Sequence, residues 1–153
     1  MISLESAREL KEAGLTWQPA QGDKFAIPDR GLDDKIFVIN DMAVIVALVR
    51  DVPAVTFHGT AEWALDYLYV GEAIWLPEES QLRERLREEL KAQGIRAFDL
   101  VYAEGSYTCR FGWHGQVLAF SAADAAEAYA AALLYMLRAR GGRSAGQLGD
   151  RLA

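Results

Sequence analysis

The stretch from Phe98 to Arg140 constrains the fold more than any other part of this chain. Three short β-prone runs, Phe98–Ala103, Tyr107–Gly112 and Gln116–Phe120, are separated by the turn formers Glu104-Gly105-Ser106 and Trp113-His114-Gly115. In the middle run Tyr107, Cys109 and Phe111 share one face and Thr108 and Arg110 the other, the alternation of a half-buried strand. Ser121 and Asp124 then match the S-x-x-[DE] start of a helix that reads to about Arg140. Its apolar residues form two stripes, Ala126, Tyr129, Leu133, Met136 and Leu137, and Ala125, Ala128, Ala132 and Tyr135. A helix apolar nearly all round is buried on two sides, between a sheet and other helices or in an oligomer interface. Eight alanines between Ala122 and Ala132 permit close backbone approach.

The rest of the chain alternates similar elements. Ser3 caps a helix over 3–13 that Gly14 ends. Lys24–Ile27, Ile36–Asn40, Met42–Val49 and Ala54–Phe57 read as strands, the last beginning at an edge because of Pro53. Thr60 starts a helix from Ala61 to about Val70, and Pro77 opens another that runs to Gln93 and stops at Gly94. These elements predict an α+β fold, with a mainly antiparallel sheet of five to seven strands and helices packed on both faces. LKEAGL at 10–15 parallels LKAQGI at 90–95, and each half orders helix, three strands, helix. The likeness fits a pseudo-duplicated unit, and it fits equally the small vocabulary of helix caps. The predicted organisation is one domain over 1–140, with halves 1–76 and 77–140, followed by a flexible basic tail over 141–153.

Charge and composition exclude several classes. Residues 138–153 hold four arginines against one aspartate, so the remainder carries −9 of a net −6 chain. Such a body repels a phosphate backbone, so no nucleic-acid partner is expected. No apolar stretch approaches the roughly 20 residues of a membrane-spanning helix, and the N-terminus lacks the basic start and apolar run of a secretory signal. With the lone Cys109 excluding an internal disulfide, a cytoplasmic location is expected.

From about Leu82 to Leu137 the chain resembles the phage α-β-α sandwich domains of prophage and phage-encoded proteins. The carrying residues are QLRERLREELKAQG, FDLVYAEGSYTCRFGWHG and AFSAADAAEAYAAALLYML. The resemblance implies a bacterial or prophage origin and a small sheet with helices packed on it, and no activity. The strand–strand–strand–helix order also looks like the antitoxin half of Hic-type toxin–antitoxin systems. Ser121-Ala122-Ala123-Asp124-Ala125 approximates the helix start of those antitoxins, although no helix-turn-helix is evident.

No residue pattern supplies chemistry. His58 and Glu62 are four apart, but His58 precedes the helix, and His114 is distant in sequence, so no metal site is expected. Cys109 sits mid-strand as a buried thiol, and no Gly-containing loop joins a strand to a helix as a phosphate loop does. No catalytic residue and no cofactor are therefore expected. The aromatics are the remaining candidates: Trp63, Tyr67, Trp75, Trp113 and Tyr135 as an interaction surface, with Trp63 and Tyr67 an i,i+4 pair on one helix. The expected function is protein–protein interaction or self-association without catalysis. The alternatives are an antitoxin-like partner-binding protein, or a small-molecule-binding regulatory module with Trp17, Trp75 and Trp113 lining a pocket between the halves.

Overall fold

The structure, a computed structural model, describes residues 1–29, 31–32, 35–40, 44–57 and 67–152. The fold is mixed α+β, and the chain divides into two compact units, Met1–Leu15 with Glu78–Ala153, and Thr16–Pro77. Among the described residues the strands form three three-stranded antiparallel sheets, where the sequence suggested one sheet of five to seven.

In the first unit α1 spans Leu4–Glu12, α2 Glu79–Ala92 and α3 Ala125–Leu152. Ser3 caps α1 by accepting from the Ser6 amide at 3.0 Å. At its other end the Gly14 amide donates to Lys11 and the Leu15 amide to Leu10, and α2 ends identically through Gly94 and Ile95. This is the Schellman motif, whose left-handed position glycine fills at φ 103° and 77°. The likeness of LKEAGL and LKAQGI is thus one C-cap used twice. Pro77 lies just ahead of α2, whose cap is Glu78, its amide donating to the Gln81 side chain at 2.9 Å.

The strands of this unit follow six strands of the second unit in chain order. They are β7 (Asp99–Ala103), β8 (Ser106–Trp113) and β9 (Gln116–Ala122), in the order β7-β8-β9. Glu104-Gly105 and His114-Gly115 make the two hairpin turns, all four residues at positive φ, as type I′ turns require. α3 begins later than its S-x-x-[DE] signal implies. Ser121 stays in β9, bonded to Thr108 across the strands at 2.7 Å, and Asp124 caps the helix by accepting from the Ala126 amide at 2.7 Å. The helix also passes the expected stop at Arg140 and continues to Leu152. Glycines 141 and 142 lower helix propensity but do not remove an amide as proline would.

α3 packs on β8 and β9, and α1 and α2 pack on α3. Ser3 and Glu9 of α1 meet Glu127 and Arg138 of α3, so the two helices run parallel. Ala126, Ala128, Tyr129, Ala130, Ala132, Leu133, Met136 and Leu137 are all buried, so both apolar stripes of α3 are in use. Among the described residues helix covers this sheet on one face. The other presents Val101, Arg110, Val117 and Ser121 to solvent, with Val117 75% exposed. The expectation of helices on both faces does not describe this sheet.

The second unit holds β1 (Lys24–Ala26), β2 (Phe37–Val38), β3 (Val44–Val49), β4 (Val52–Phe57), β5 (Tyr67–Tyr69) and β6 (Ile74–Leu76). They pair as β2-β1-β6 and β3-β4-β5. Phe25, Ile27, Ile39, Val55, Leu68 and Ala73 form one core drawn from both sheets, with Trp17, Leu32 and Phe37 against it. The buried Asp23 carboxylate accepts from the Trp17 ring at 2.9 Å and the Ala20 amide at 3.0 Å, which fixes the turn entering β1. β4 is a central strand and not the edge its proline suggested. β5 reaches only Ala54–Thr56, so Pro53 lies past its end.

The helix expected over 61–70 falls partly outside the described residues. Its last part is not helical. Tyr67–Tyr69 is β5, followed by a 3₁₀ turn over Val70–Glu72. The Tyr-Leu-Tyr alternation suits a strand with Leu68 buried and the tyrosines on the opposite face.

Candidate functional site: an aromatic patch on the first unit

Of the five candidate aromatics, the structure brings Trp113 and Tyr135 together. Alternation along β8 places Tyr107, Cys109, Phe111 and Trp113 on the face that α3 covers. Register with β9 puts Leu118 beside Phe111 and Phe120 beside Cys109. Tyr135 then reaches this face from α3. Its ring lies 6.2 Å from Trp113, edge-on at 86°, and 5.4 Å from Phe120. Phe120 stacks on Phe111 at 5.9 Å, and the His114 ring sits 4.5 Å from Trp113.

The result is a continuous chain of rings from buried Phe111, through half-buried Phe120 and Trp113, to Tyr135, which is 41% exposed. Edge-on and offset arrangements of this kind suit the aromatic quadrupole and hold the rings rigid. His114 is the first residue of the β8–β9 turn at φ 51°, which carries its imidazole beside the Trp113 ring at the end of the sheet.

The other candidates lie elsewhere. Tyr67 is on β5 in the second unit, partnered edge-on with Tyr69 at 5.3 Å. The Tyr69 hydroxyl is pushed up from its ordinary range by its hydrogen bond to Tyr67. Trp75 is half-buried on β6, opposite Phe25 of β1. Trp63 lies outside the described residues, and because Tyr67 is on a strand, the proposed helical pairing of the two does not describe Tyr67. Trp17 and Trp75 belong to the second unit and Trp113 to the first.

The strand pattern would have found the Trp113 side of the patch, because Phe111 and Trp113 are two apart. Phe120 carries no signal of its own in the sequence, since its closeness to Tyr135 depends on how α3 folds back over β9.

Among the described residues the nucleophile and the charged groups give no second constellation. Cys109 is fully buried, and burial, reinforced by the Asp99 carboxylate, pushes its thiol up to about 11. That leaves it protonated and unreactive near neutrality. On the open face of the sheet Arg110 grips Asp99 through two bonds of 2.9 and 3.0 Å, which hold the Asp99 carboxyl below its usual range. Among the described residues no three His, Cys, Asp or Glu side chains gather as metal ligands would. Among them, too, no helix is long and apolar enough to cross a membrane.

The patch therefore offers rigid aromatic surface with a hydroxyl, an indole and an imidazole at its margin, a composition suited to holding another surface. No known family model matches this chain, and neither a curated protein nor a solved structure matches it.

Proposed function

We propose that this protein works by protein–protein contact without catalysis, associating with a second copy of itself through the aromatic patch and the neighbouring strand β9. The carrying observation is the run of rings that ends on exposed Tyr135. Rigid aromatics anchor interfaces because they bury much area at little entropic cost.

The strand beside the patch supports a second copy as the partner. β9 is at the edge of its sheet, and from Gln116 to Ala122 it carries neither a charge nor a proline. Edge strands are normally blunted by such residues. A two-fold pairing of β9 about Ala119 would set Leu118 opposite the other copy's Phe120 and join two three-stranded sheets into six strands. Each copy would bring its Tyr135 to the same seam.

Light scattering after size exclusion tests this reading on the full chain and on Tyr135→Glu. The parent is expected as a dimer at micromolar concentration, and Tyr135→Glu as a monomer with unchanged circular dichroism. Val101→Lys, on the far edge strand β7 and the open face of the sheet, is expected to remain dimeric. A monomeric parent, or a dimer indifferent to Tyr135→Glu, refutes the reading.

A further inference from the structure

At the C-terminal end of α2 lies a groove of about 930 Å³, formed where the chain leaves the helix and turns into β7. It shares no residue with the aromatic patch. Leu90 is buried and Ile95 and Phe98 are half-buried along it, while Arg87, Lys91 and Arg96 stand exposed at its margin. The Schellman turn shapes it. Gly94 sits at φ 77°, and a Cβ placed there would meet nothing within 4 Å, so the space above the turn is open. Phe98 is held from behind by Tyr129 of α3, edge-on at 6.2 Å.

The charges around the groove are unevenly satisfied. Arg87 is neutralised by Glu84 at 2.7 Å, and Glu88, also on the margin, faces Arg85 at 3.8 Å. Lys91 and Arg96 have no carboxylate partner among the described residues. Nor is Lys91 needed to satisfy the helix end, because the Gln93, Gly94 and Ile95 amides already take up the Leu90 and Lys91 carbonyls. In a chain of net charge −6, two unneutralised cations flank an apolar trough. Its volume lies within the range of small-molecule sites.

We propose that this groove binds a small organic anion with an apolar body, a medium-chain carboxylate, whose head group meets Lys91 and Arg96 and whose chain lies along Leu90, Ile95 and Phe98. The guanidinium supplies the forked donor pair that a carboxylate accepts, and Lys91 adds a point charge. The proposal goes beyond the self-association reading and stands or falls separately from it.

Titration calorimetry of the full chain with octanoate, and with octanol as the neutral arm, tests it. Residues 87–98 are followed in parallel by amide chemical shifts. Saturable one-to-one binding of octanoate is expected, with shifts concentrated in 87–98 and octanol weaker. Lys91→Gln combined with Arg96→Gln is expected to weaken octanoate about tenfold. Both side chains are exposed, so circular dichroism should not change. Three outcomes would each overturn the proposal: no saturable binding at millimolar octanoate, equal binding of octanol, or shifts that lie outside 87–98.

Discussion

Glu127 ties the beginning of the chain to α3, and replacing it should measure how firmly. Its Oε1 accepts from the Ser3 amide at 2.6 Å and its Oε2 from the Ser6 hydroxyl at 2.7 Å, across 124 and 121 residues of sequence. The Ser3 amide is one of the donors that the start of α1 leaves without a helical partner, and a carboxylate there also meets the positive end of the helix dipole. Hydrogen bonds to a charged group contribute roughly 1.5–3 kcal/mol each when shielded. Here the Ser3 contact is exposed and the Ser6 contact only partly buried, so the two together are worth about 2 kcal/mol. Glu127→Ala should lower unfolding stability by that amount in urea titration, and Glu127→Gln, which keeps one acceptor, by about half. Amide exchange should accelerate along Leu4–Leu10 more than in α2. A cycle with Ser6→Ala should return a coupling energy of about 1 kcal/mol. A loss below about 0.5 kcal/mol for Glu127→Ala, with unchanged exchange in α1, would show that burial of Ile2, Ala7 and Leu10 alone holds this helix, and would refute the argument.

Two further predictions concern pH and turn chemistry. The Cys109 thiol is held near 11 in the fold, against about 8.5 in an unfolded chain. Above pH 8.5 the unfolded state therefore loses this proton first. Stability should be flat in this term below that pH, fall by roughly 1.4 kcal/mol per unit above it, and level off beyond 11. Cys109→Ala should remove the difference between urea titrations at pH 7.5 and 10 that belongs to the thiol, and a parent and variant with equal slopes would contradict it. The β3–β4 hairpin turns on Arg50-Asp51, both at positive φ without glycine. Replacing the pair by Asn-Gly should stabilise the second unit by about 1 kcal/mol, read by amide exchange in β3 and β4, and no slowing would refute it.

The parts of this fold that were legible beforehand are those whose causes sit within a few residues. Ser3 and Gly14 bound α1, Gly94 ends α2, and the two turns of the last sheet follow from Glu104-Gly105 and His114-Gly115. The period of β8 announced that Tyr107, Cys109 and Phe111 share one face, and Trp113, read as part of the turn, ends that same face. Ser121 misled because Asp124 offers the same cap three residues later, and a strand that can still bond Thr108 keeps Ser121. Tyr67–Tyr69 misled because an apolar and aromatic triplet serves either state, and only pairing with Ala54–Thr56 decides it. Of the aromatic patch, Trp113 and Tyr135 were readable as candidates, and Phe120 of β9, which touches Tyr135, was not.

The amino-acid sequence by itself determined the C-caps, the turns, the two faces of the middle strand of the last sheet and an α3 apolar on two sides. These depend on backbone donors and acceptors, on left-handed glycines and on spacing along one element. Only the tertiary structure decided that the strands close into three sheets of three, that α1 joins the unit containing α2 and α3, and that Tyr135 meets Phe120 and Trp113. Those outcomes depend on which apolar surfaces find each other across long stretches of chain. Burial is non-directional, so an element's own sequence does not name its partner.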